Sequence, residues 1–472
     1  MTKAFIFLGY PLCKHLKVSF LFAIYMFIFL LSELLLNDLT ATRIGADKVL
    51  NIYASYSFIT VIGYVLFAFV QTQIKTIKIN TVLSFIGIIA IIFLLLIAIK
   101  IGFFYFNIFT YMFFIGCFGC QTFAVASEQL KNSPYVGRVI GNAICLAVLA
   151  QFIVQKNCGL HTQILLLALG VFTLVALFRN ITPEQSPISC KYISLSEEPH
   201  REGIIQIVAI ILMSLILSIN DGIITKYHAQ GLLNVSEWPR LFYAIGIVCA
   251  GIIVDVRNSL YLPLSSLCGL LILTIAFSFL RSPELYSINL ALMYFAGSFY
   301  IIYLSVIFIK LAPRTSFPIL WAGMGRIARG ITVAAVAATS HYFTDTELIN
   351  LMLVDIAIVI FLLLLLFFNN LLLPRSLAID SNLQNTEEYF KNFVNKYLLT
   401  EREIEVLQKV LTSGDTGGEL AKELFISERV FQRHLTAIYT KTNTKSRIAL
   451  CLLFYRANDS LVTDPPNIIN PE

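Results

Sequence analysis

The feature that most constrains this chain is a series of long apolar runs separated by short polar segments. Of its 472 residues, 58% are hydrophobic and 13% are charged, whereas a water-soluble domain has roughly 45–50% apolar and 25% charged residues. Runs long enough to cross a bilayer as helices lie near 18–36, 51–70, 80–99, 103–124, 135–155, 160–178, 204–220, 238–256, 260–280, 286–309, 317–340 and 349–373. The sequence therefore predicts an all-α, polytopic membrane bundle of about twelve helices.

The runs fall into two sets of six. The polar segment 180–203 contains three prolines with several serines and acids, and we interpret it as a linker between halves at about 1–179 and 204–373. Lysine and arginine favour one set of loops: about twelve lie on the side of the N-terminus and six or seven on the other side. By the positive-inside rule, both ends of the membrane part are predicted to face the cytoplasm. The first run lacks a cleavage site, so we expect it to be retained.

The two halves echo each other in sequence. Asn37-Asp38 recurs at 220–221, and Gly137-Arg138 recurs at 325–326, with nearly the same offset. Two matches in corresponding runs predict a duplicated, transporter-type fold with a 6+6 repeat.

The membrane part resembles the major facilitator superfamily over roughly residues 15–373. Of the loop motif that facilitators often carry twice, the second copy survives in part as Gly251-Ile-Ile-Val-Asp255-Val-Arg257, and the first loop, QTQIKTIKIN, lacks it. The resemblance implies a central cavity lined by helices one, four, seven and ten.

Polar side chains inside the apolar runs are costly and usually face a cavity or a partner. The candidates for contact with a small-molecule ligand are Glu33, Asp38, Gln121, Asn220, Asp221, Arg326 and Arg329. The two arginines share a helix face and are the candidates for meeting an anionic ligand. For each residue a structural role is the alternative, and Glu128–Arg138 and Asp255–Arg257 could be structural pairs.

The sequence has the signals of no enzyme class. Cys117 and Cys120 form a CxxC inside an apolar run without a second pair or a nearby histidine, and we interpret them as buried thiols rather than a metal or redox site. No nucleophile elbow, metal-ligand cluster or phosphate loop is found in the sequence. We therefore expect no catalytic residues, no metal site and no cofactor.

After Leu373 the composition becomes that of a soluble segment. Residues 374–398 are predicted to be a linker that contains an amphipathic helix near 387–398 (EEYFKNFVNKYL). Its aromatic face could dock on the tail domain, pair with a second copy or lie on the membrane. Residues 458–472 are predicted to be a flexible tail.

Residues 399–457 carry the local signals of four short helices. Thr400 with Glu403, and Thr416 with Glu419, form capping boxes, and Ser427 is an N-cap for the helix ERVFQRHLTAIYTKT. A short helix, a tight turn and a helix with basic residues form the helix-turn-helix pattern.

This segment resembles the DNA-binding domain of the LuxR-type transcription regulators. The matching positions are Leu399-Thr-x-Arg402-Glu403-x-Glu405-Val406-Leu407, Glu419-Leu-Ala421-x-x-Leu424, Ile426-Ser427, His434-Leu435, Ile438-Tyr439-x-Lys441 and Ser446-Arg447. The resemblance implies a third helix in the major groove, a homodimer, and DNA contacts by Arg429, Gln432, Arg433, His434, Lys441, Lys445 and Arg447.

The segment departs from the family pattern at three positions. Gln432 and Gly418 stand where lysine is usual, and Val430 stands where threonine is usual. From 399 to 456, nine basic residues face seven acids, which is a small positive excess for a protein that binds duplex DNA. A domain that keeps the fold but binds DNA weakly is one alternative, and altered sequence preference through Gln432 is another.

Together these features predict a membrane-tethered transcription regulator in the bacterial cytoplasmic membrane. Its facilitator-like part would sense a small molecule, and its tail would bind promoter DNA. The alternative is a major-facilitator transporter with a regulatory tail.

Overall fold

The chain divides into two compact units, Met1–Phe368 and Asn369–Glu472, in the computed structural model. The structure describes residues 15–73, 79–99, 103–181, 198–256, 262–278, 286–343 and 356–360 of the first unit. In the second it describes 390, 393–412, 418, 420–421, 424, 426–444, 446–447, 449–450 and 453–454.

The described part of the first unit consists of helices. They are α1 (Leu16–Arg43), α2 (Val49–Gln73), α3 (Ile79–Ile99), α4 (Phe104–Leu130), α5 (Val136–Asn157), α6 (Leu160–Ile181), α7 (Glu198–Ala229), α8 (Pro239–Asp255), α9 (Leu262–Ser278), α10 (Tyr286–Leu311) and α11 (Met324–Phe343), with a short helix at Pro318–Ala322 before α11. Each of the first ten predicted runs overlaps one of these helices, and the eleventh, 317–340, covers the short helix and most of α11. Only 356–360 of the twelfth run, 349–373, lies within the described residues.

Eight of these helices are long and apolar enough to cross a membrane. A helix satisfies all its backbone hydrogen bonds internally, which is what a chain in hydrocarbon requires. Some large apolar side chains point outwards, such as Phe85 on α3 and Phe172 on α6, which are 63% and 68% exposed. The first unit therefore has the features of a multi-pass membrane domain.

Helix α7 begins earlier than the sequence predicts. It starts at Glu198, inside the segment predicted to be a linker up to residue 203. Pro199 is compatible with this start, because the first turn of a helix has no partner for its backbone N–H groups.

The same packing pairs occur in the first set of helices and in the second set, six helices later in the chain. Helix α2 packs on α4 as α8 packs on α10, α1 packs on α5 as α7 packs on α11, and α3 packs on α4 as α9 packs on α10. Between the two sets, α2 packs on α11 and α5 packs on α8. The buried hydrophobic side chains of the first unit lie between these packed helices.

Glycines permit the close approach of α5 and α8. A Cβ atom on Gly137 would lie 2.4 Å from the carbonyl oxygen of Gly251, and one on Gly251 would lie 2.7 Å from that of Gly137. At the same end of the bundle, the Asp255 carboxylate accepts hydrogen bonds from the backbone N–H groups of Gly137 (2.7 Å) and Arg138 (3.0 Å).

The structural pairs differ from those considered from the sequence. Arg138 pairs with Asp255, with Nε and Oδ2 3.5 Å apart. Glu128 pairs instead with Lys131, three residues further along, at 2.7 Å. The pair Glu128–Arg138 was therefore wrong, because the ends of α5 and α8 meet and place Asp255 beside Arg138. Arg257 lies outside the described residues.

The CxxC lies inside the bundle as interpreted. Cys117 and Cys120 are buried free thiols on α4. The thiol of Cys117 donates to the carbonyl oxygen of Gly63 on α2, at 3.6 Å.

The second unit has its own small hydrophobic core. It contains α12 (Glu401–Thr412) and α13 (Glu428–Thr442). The core is formed by Phe393, Leu399, Val406, Leu407, Val410, Leu420, Ala421, Phe431, Leu435, Ile438, Leu450 and Phe454.

The amphipathic segment before α12 docks on this core. The ring of Phe393 lies 5.2 Å from that of Phe454 and 4.7 Å from that of Tyr397, centroid to centroid. Phe390 also packs on Phe454, at 6.1 Å. Of the three alternatives for this aromatic face, the structure shows docking on its own domain.

Candidate functional site

A cavity of about 150 Å³ lies within the membrane unit. Polar side chains reach it from six helices: Glu33 and Asn37 (α1), Tyr53 (α2), Asn220, Asp221 and His228 (α7), Arg240 and Tyr243 (α8), Tyr294 (α10) and Arg329 (α11). Leucine, isoleucine and methionine side chains complete the wall. An apolar cavity with a few converging polar groups is the usual form of a small-molecule site.

The structure brings most of the predicted ligand residues together. Glu33, Asn220, Asp221 and Arg329 line the cavity. Arg326 lines an adjoining space of about 40 Å³, which it shares with Glu33 and Arg329.

Asp38 and Gln121 lie elsewhere. The Asp38 carboxylate is half-exposed and pairs with His228, with Oδ1 and Nε2 3.1 Å apart. Gln121 is buried between α4 and α2, where its oxygen accepts a hydrogen bond from the side-chain amide of Gln71. Gln121 therefore joins two helices of the first half, and Asp38 joins the first half to α7.

The predicted anion-binding arginines both have neighbours within the protein. Arg329 donates to Asp221 with Nη2 and Oδ2 3.1 Å apart. The guanidinium of Arg326 lies over the rings of Phe29 (5.3 Å) and Phe123 (6.0 Å), and its Nη2 is 3.3 Å from Met26 Sδ.

Sequence analysis did not select Arg240 for this cavity. Its side chain is only 8% exposed, and Nε and Nη1 have no hydrogen-bond partner among the residues that the structure describes. Its guanidinium lies 5.5 Å from the centre of the Tyr294 ring. The available signal was its position as the third residue of the apolar run 238–256.

In the second unit, α13 has one buried and one exposed face. Ser427 caps the helix as predicted, since its hydroxyl oxygen accepts from the backbone N–H of Val430 at 3.3 Å. Phe431, Leu435 and Ile438 are buried and hold the helix on the core. This packing directs the opposite face to the surface.

The exposed face carries three of the predicted DNA-binding residues. Arg429, Gln432 and Arg433 are exposed, and His434 is half-buried beside them. Thr436 and Thr440 continue the same face, at a spacing of about one helix turn. Sequence analysis did not select these two threonines.

Other predicted DNA-binding residues make contacts inside the domain. The ammonium group of Lys441 donates to Glu403 Oε2 (2.7 Å) and to the Leu398 carbonyl (3.0 Å). Arg447 donates to the Val410 carbonyl at 3.2 Å. Lys445 lies outside the described residues, as does the second capping box.

Glu403 is a central polar group of this domain. Its Oε2 accepts from the Thr400 backbone N–H at 2.7 Å, as the first capping box predicts. Burial would raise the pKa of Glu403, but the hydrogen bonds from Lys441 and Thr400 outweigh it and hold the pKa below its usual value.

An exposed recognition-type helix on a capped helical core defines a helix-turn-helix domain. Residues 397–454 match the family described as bacterial regulatory proteins, luxR family. The spore germination protein GerE of Bacillus subtilis is 42% identical over 57 residues, which cover 12% of this chain and 76% of that protein. The nitrate/nitrite response regulator protein homolog of Haemophilus influenzae is 38% identical over 60 residues, covering 13% of this chain and 28% of that protein. Through this domain the chain belongs to the luxR family.

The membrane unit has the fold of a solved transporter. The human organic anion transporter MFSD10 (TETRAN) aligns with a TM-score of 0.53 and 13% identity, covering 75% of this chain and 99% of that chain. The nucleoside transporter NupG aligns with a TM-score of 0.49 and covers the same share of this chain. At this identity the likeness to MFSD10 concerns the fold alone. The chain thus combines a helical domain with a transporter-like fold and a luxR-family domain.

Proposed function

We propose that this protein is a membrane-tethered transcription regulator whose membrane domain senses a small molecule and whose luxR-family domain binds promoter DNA. The observation that carries the proposal is the exposed face of α13, with Arg429, Gln432 and Arg433, on the same chain as a transporter-type bundle. A transporter needs no such face.

The proposed topology places both ends in the cytoplasm of a bacterium, where DNA is accessible. The lysine and arginine distribution supports it. We also propose that the bundle is a 6+6 repeat, which the equivalent packing of helices six apart supports.

Sensing requires a ligand that binds one conformation better than another. The cavity suits this role because it is lined from both sets of helices, by Glu33 and Tyr53 of the first and by Asp221 and Arg329 of the second. A ligand that draws these walls together would favour one arrangement of the two halves.

The DNA-bound form is proposed to be a homodimer, in keeping with luxR-family domains. The aromatic face of residues 390–397 is occupied by its own domain core. The dimer contact is therefore expected on another surface of the domain.

A transporter with a regulatory tail is the second candidate. The shared fold and the polar cavity favour it. The two functions differ in whether the membrane domain moves its ligand across the bilayer.

The test uses the full chain in nanodiscs with DNA fragments from upstream of its own gene. We expect binding that weakens steeply with salt, because phosphate contacts release counterions. Arg433→Ala should weaken binding to all fragments, and Gln432→Ala should mainly change the preference among them. Arg402→Ala is the matched control, since Arg402 is exposed on α12 and pairs with Glu405.

No salt-sensitive binding to any fragment would contradict the regulator. Counterflow uptake by the same protein in sealed vesicles, with no DNA binding, would favour the transporter.

A further inference from the structure

The cavity in the membrane domain contains a buried cation whose hydrogen-bonding capacity is unused. Arg240 is 92% buried, being 8% exposed, and two of its three guanidinium nitrogens have no hydrogen-bond partner in the described part of the chain. A buried guanidinium is costly unless it is paired. An arginine in this condition at a cavity wall is suited to an anion that arrives from outside the protein.

The other basic side chains at this cavity already have carboxylate partners. Arg329 is held by Asp221 at 3.1 Å, and His228 is held by Asp38 at 3.1 Å. Glu33 also lines the cavity, and its carboxylate interacts electrostatically with Arg329. Arg240 therefore differs from them in having open donors.

Arg326 also has a buried nitrogen without a partner among the described residues. It faces the adjoining space of about 40 Å³, which holds little more than one water molecule. The space at Arg240 is about 150 Å³, comparable to a cavity that accepts benzene. The larger volume of the cavity at Arg240 thus favours this arginine over Arg326 as the contact for an organic molecule.

The rest of the wall restricts the chemistry of the molecule. Tyr243 and Tyr294 present ring surfaces, together with leucine and isoleucine side chains. Asn220 is 1% exposed, and its Oδ1 accepts no hydrogen bond from the described residues, while its Nδ2 donates to the Ile216 carbonyl. The site therefore offers donors at one point and an acceptor at another, between apolar surfaces.

We propose that this cavity binds a small organic monocarboxylate of about the size of a single aromatic ring, with a hydroxyl or amino substituent. Arg240 donates to the carboxylate, Asn220 accepts from the substituent, and Tyr294 contacts the ring. The molecule is the signal of the sensor, so this inference rests on the proposed function.

The first test measures the thermal unfolding midpoint of the full-length protein in detergent. The probes are benzoate and its hydroxy and amino derivatives, small aliphatic hydroxycarboxylates, and the neutral amide of each acid. We expect carboxylates to raise the midpoint and the amides to leave it unchanged. Arg240→Gln should weaken carboxylate binding at least tenfold, because a charge-assisted hydrogen bond is lost, while Arg240→Lys should retain part of it.

Arg179→Gln is the matched control, since Arg179 is exposed at the end of α6 and should bind like the wild type. Asn220→Leu should remove the preference for substituted over unsubstituted benzoate. The proposal is overturned if no carboxylate raises the midpoint, or if Arg240→Gln binds as tightly as the wild type.

The second test compares the ligand-free protein with the protein in the presence of carboxylates. Because the guanidinium is buried with open donors, Arg240→Met should raise the unfolding midpoint of the ligand-free protein while abolishing its response to carboxylates. A lower midpoint with an intact response would assign Arg240 a structural role and overturn the proposal.

Measuring DNA binding on the same samples distinguishes a failure of the proposed anion site from a failure of the proposed regulator function. Carboxylate binding without DNA binding contradicts the regulator and keeps the anion site. DNA binding without a carboxylate response contradicts the anion site alone.

Discussion

The capping box at the start of α12 should be a main determinant of the stability of the DNA-binding domain. Glu403 is 5% exposed, and its Oε2 accepts from the Thr400 backbone N–H and the Lys441 ammonium, both at 2.7 Å. Glu403→Ala removes both contacts. Loss of a cap costs about 1 kcal/mol, and loss of a partly exposed ion pair costs about 1 kcal/mol.

We therefore expect Glu403→Ala to lower the free energy of unfolding by about 2 kcal/mol, a sizeable share of the roughly 5–15 kcal/mol of a typical domain. The assay is urea unfolding of residues 385–472 expressed alone, which the separate core of this unit makes practicable. With a slope near 1–2 kcal/mol per M, the midpoint should fall by about 1–2 M.

The effect should depend on pH in a defined direction. The pKa of Glu403 is lower in the folded domain than in the unfolded chain, where it is about 4.3. Its contribution is therefore complete above about pH 4.3 and is lost as the pH falls through the folded-state pKa. The difference between wild type and Glu403→Gln should shrink in acid.

Two comparisons control this reasoning. Glu405→Gln breaks an exposed pair with Arg402 and should change stability by less than about 0.5 kcal/mol. Lys441→Met should destabilise the domain, and its effect should not add to that of Glu403→Ala. A loss of less than about 0.5 kcal/mol in Glu403→Ala, or full additivity with Lys441→Met, would refute the assignment.

Three further predictions concern signalling and DNA contact. Asp38→Asn combined with Asp221→Asn should shift basal reporter output without ligand, because it removes the pairs with His228 and Arg329; unchanged output at normal membrane levels would leave these pairs structural. Inserting about twenty Gly/Ser residues after Ser381 should keep DNA binding but abolish the ligand response, because Phe390 already packs on the DNA-binding domain and the tether of about 16 residues between Leu373 and Phe390 spans roughly 20–24 Å as a coil; a preserved response would show that the membrane domain only attaches the tail to the membrane. Gly418→Lys should tighten DNA binding in gel-shift titrations, because it restores a basic residue of the family pattern and the atoms nearest to its Cβ, those of the Glu428 side chain, lie 3.6 Å or more away; unchanged affinity would place residue 418 away from DNA.

Much of the architecture could be predicted because it depends on local sequence. The apolar runs predicted the helices of the membrane unit, since a chain in lipid must satisfy its backbone groups internally. Ser427 and Thr400-Glu403 marked helix starts correctly, because a cap acts within one turn. The luxR-family resemblance depended only on residue types and their spacing within one contiguous segment.

The partners of the polar side chains depend on tertiary structure. Sequence analysis considered Glu128 as a possible structural partner of Arg138, but the close approach of α5 and α8 at their glycines brings Asp255 to it. Asp38 shares α1 with the cavity residues Glu33 and Asn37 yet points elsewhere, and Gln121 lies on α4, which is not among the six helices whose polar side chains reach the cavity. A rotation of about 100° per residue moves a side chain from the cavity to a helix interface, and periodicity fixes this angle poorly in helices that are apolar on all sides.

The sequence by itself determined that the first unit is a bundle of apolar helices and where those helices lie, because both follow from hydropathy. It also determined the helix starts and the family of the DNA-binding domain, because these follow from capping residues and from a contiguous family pattern. Only the tertiary structure decided which charges are paired and which are not. Arg329 is paired with Asp221, whereas Arg240, near the start of an apolar run, is buried at the cavity with two nitrogens that have no partner among the described residues. The physical reason is that the cost of a buried charge depends on the groups within a few ångströms of it, and the packing of distant helices sets those distances.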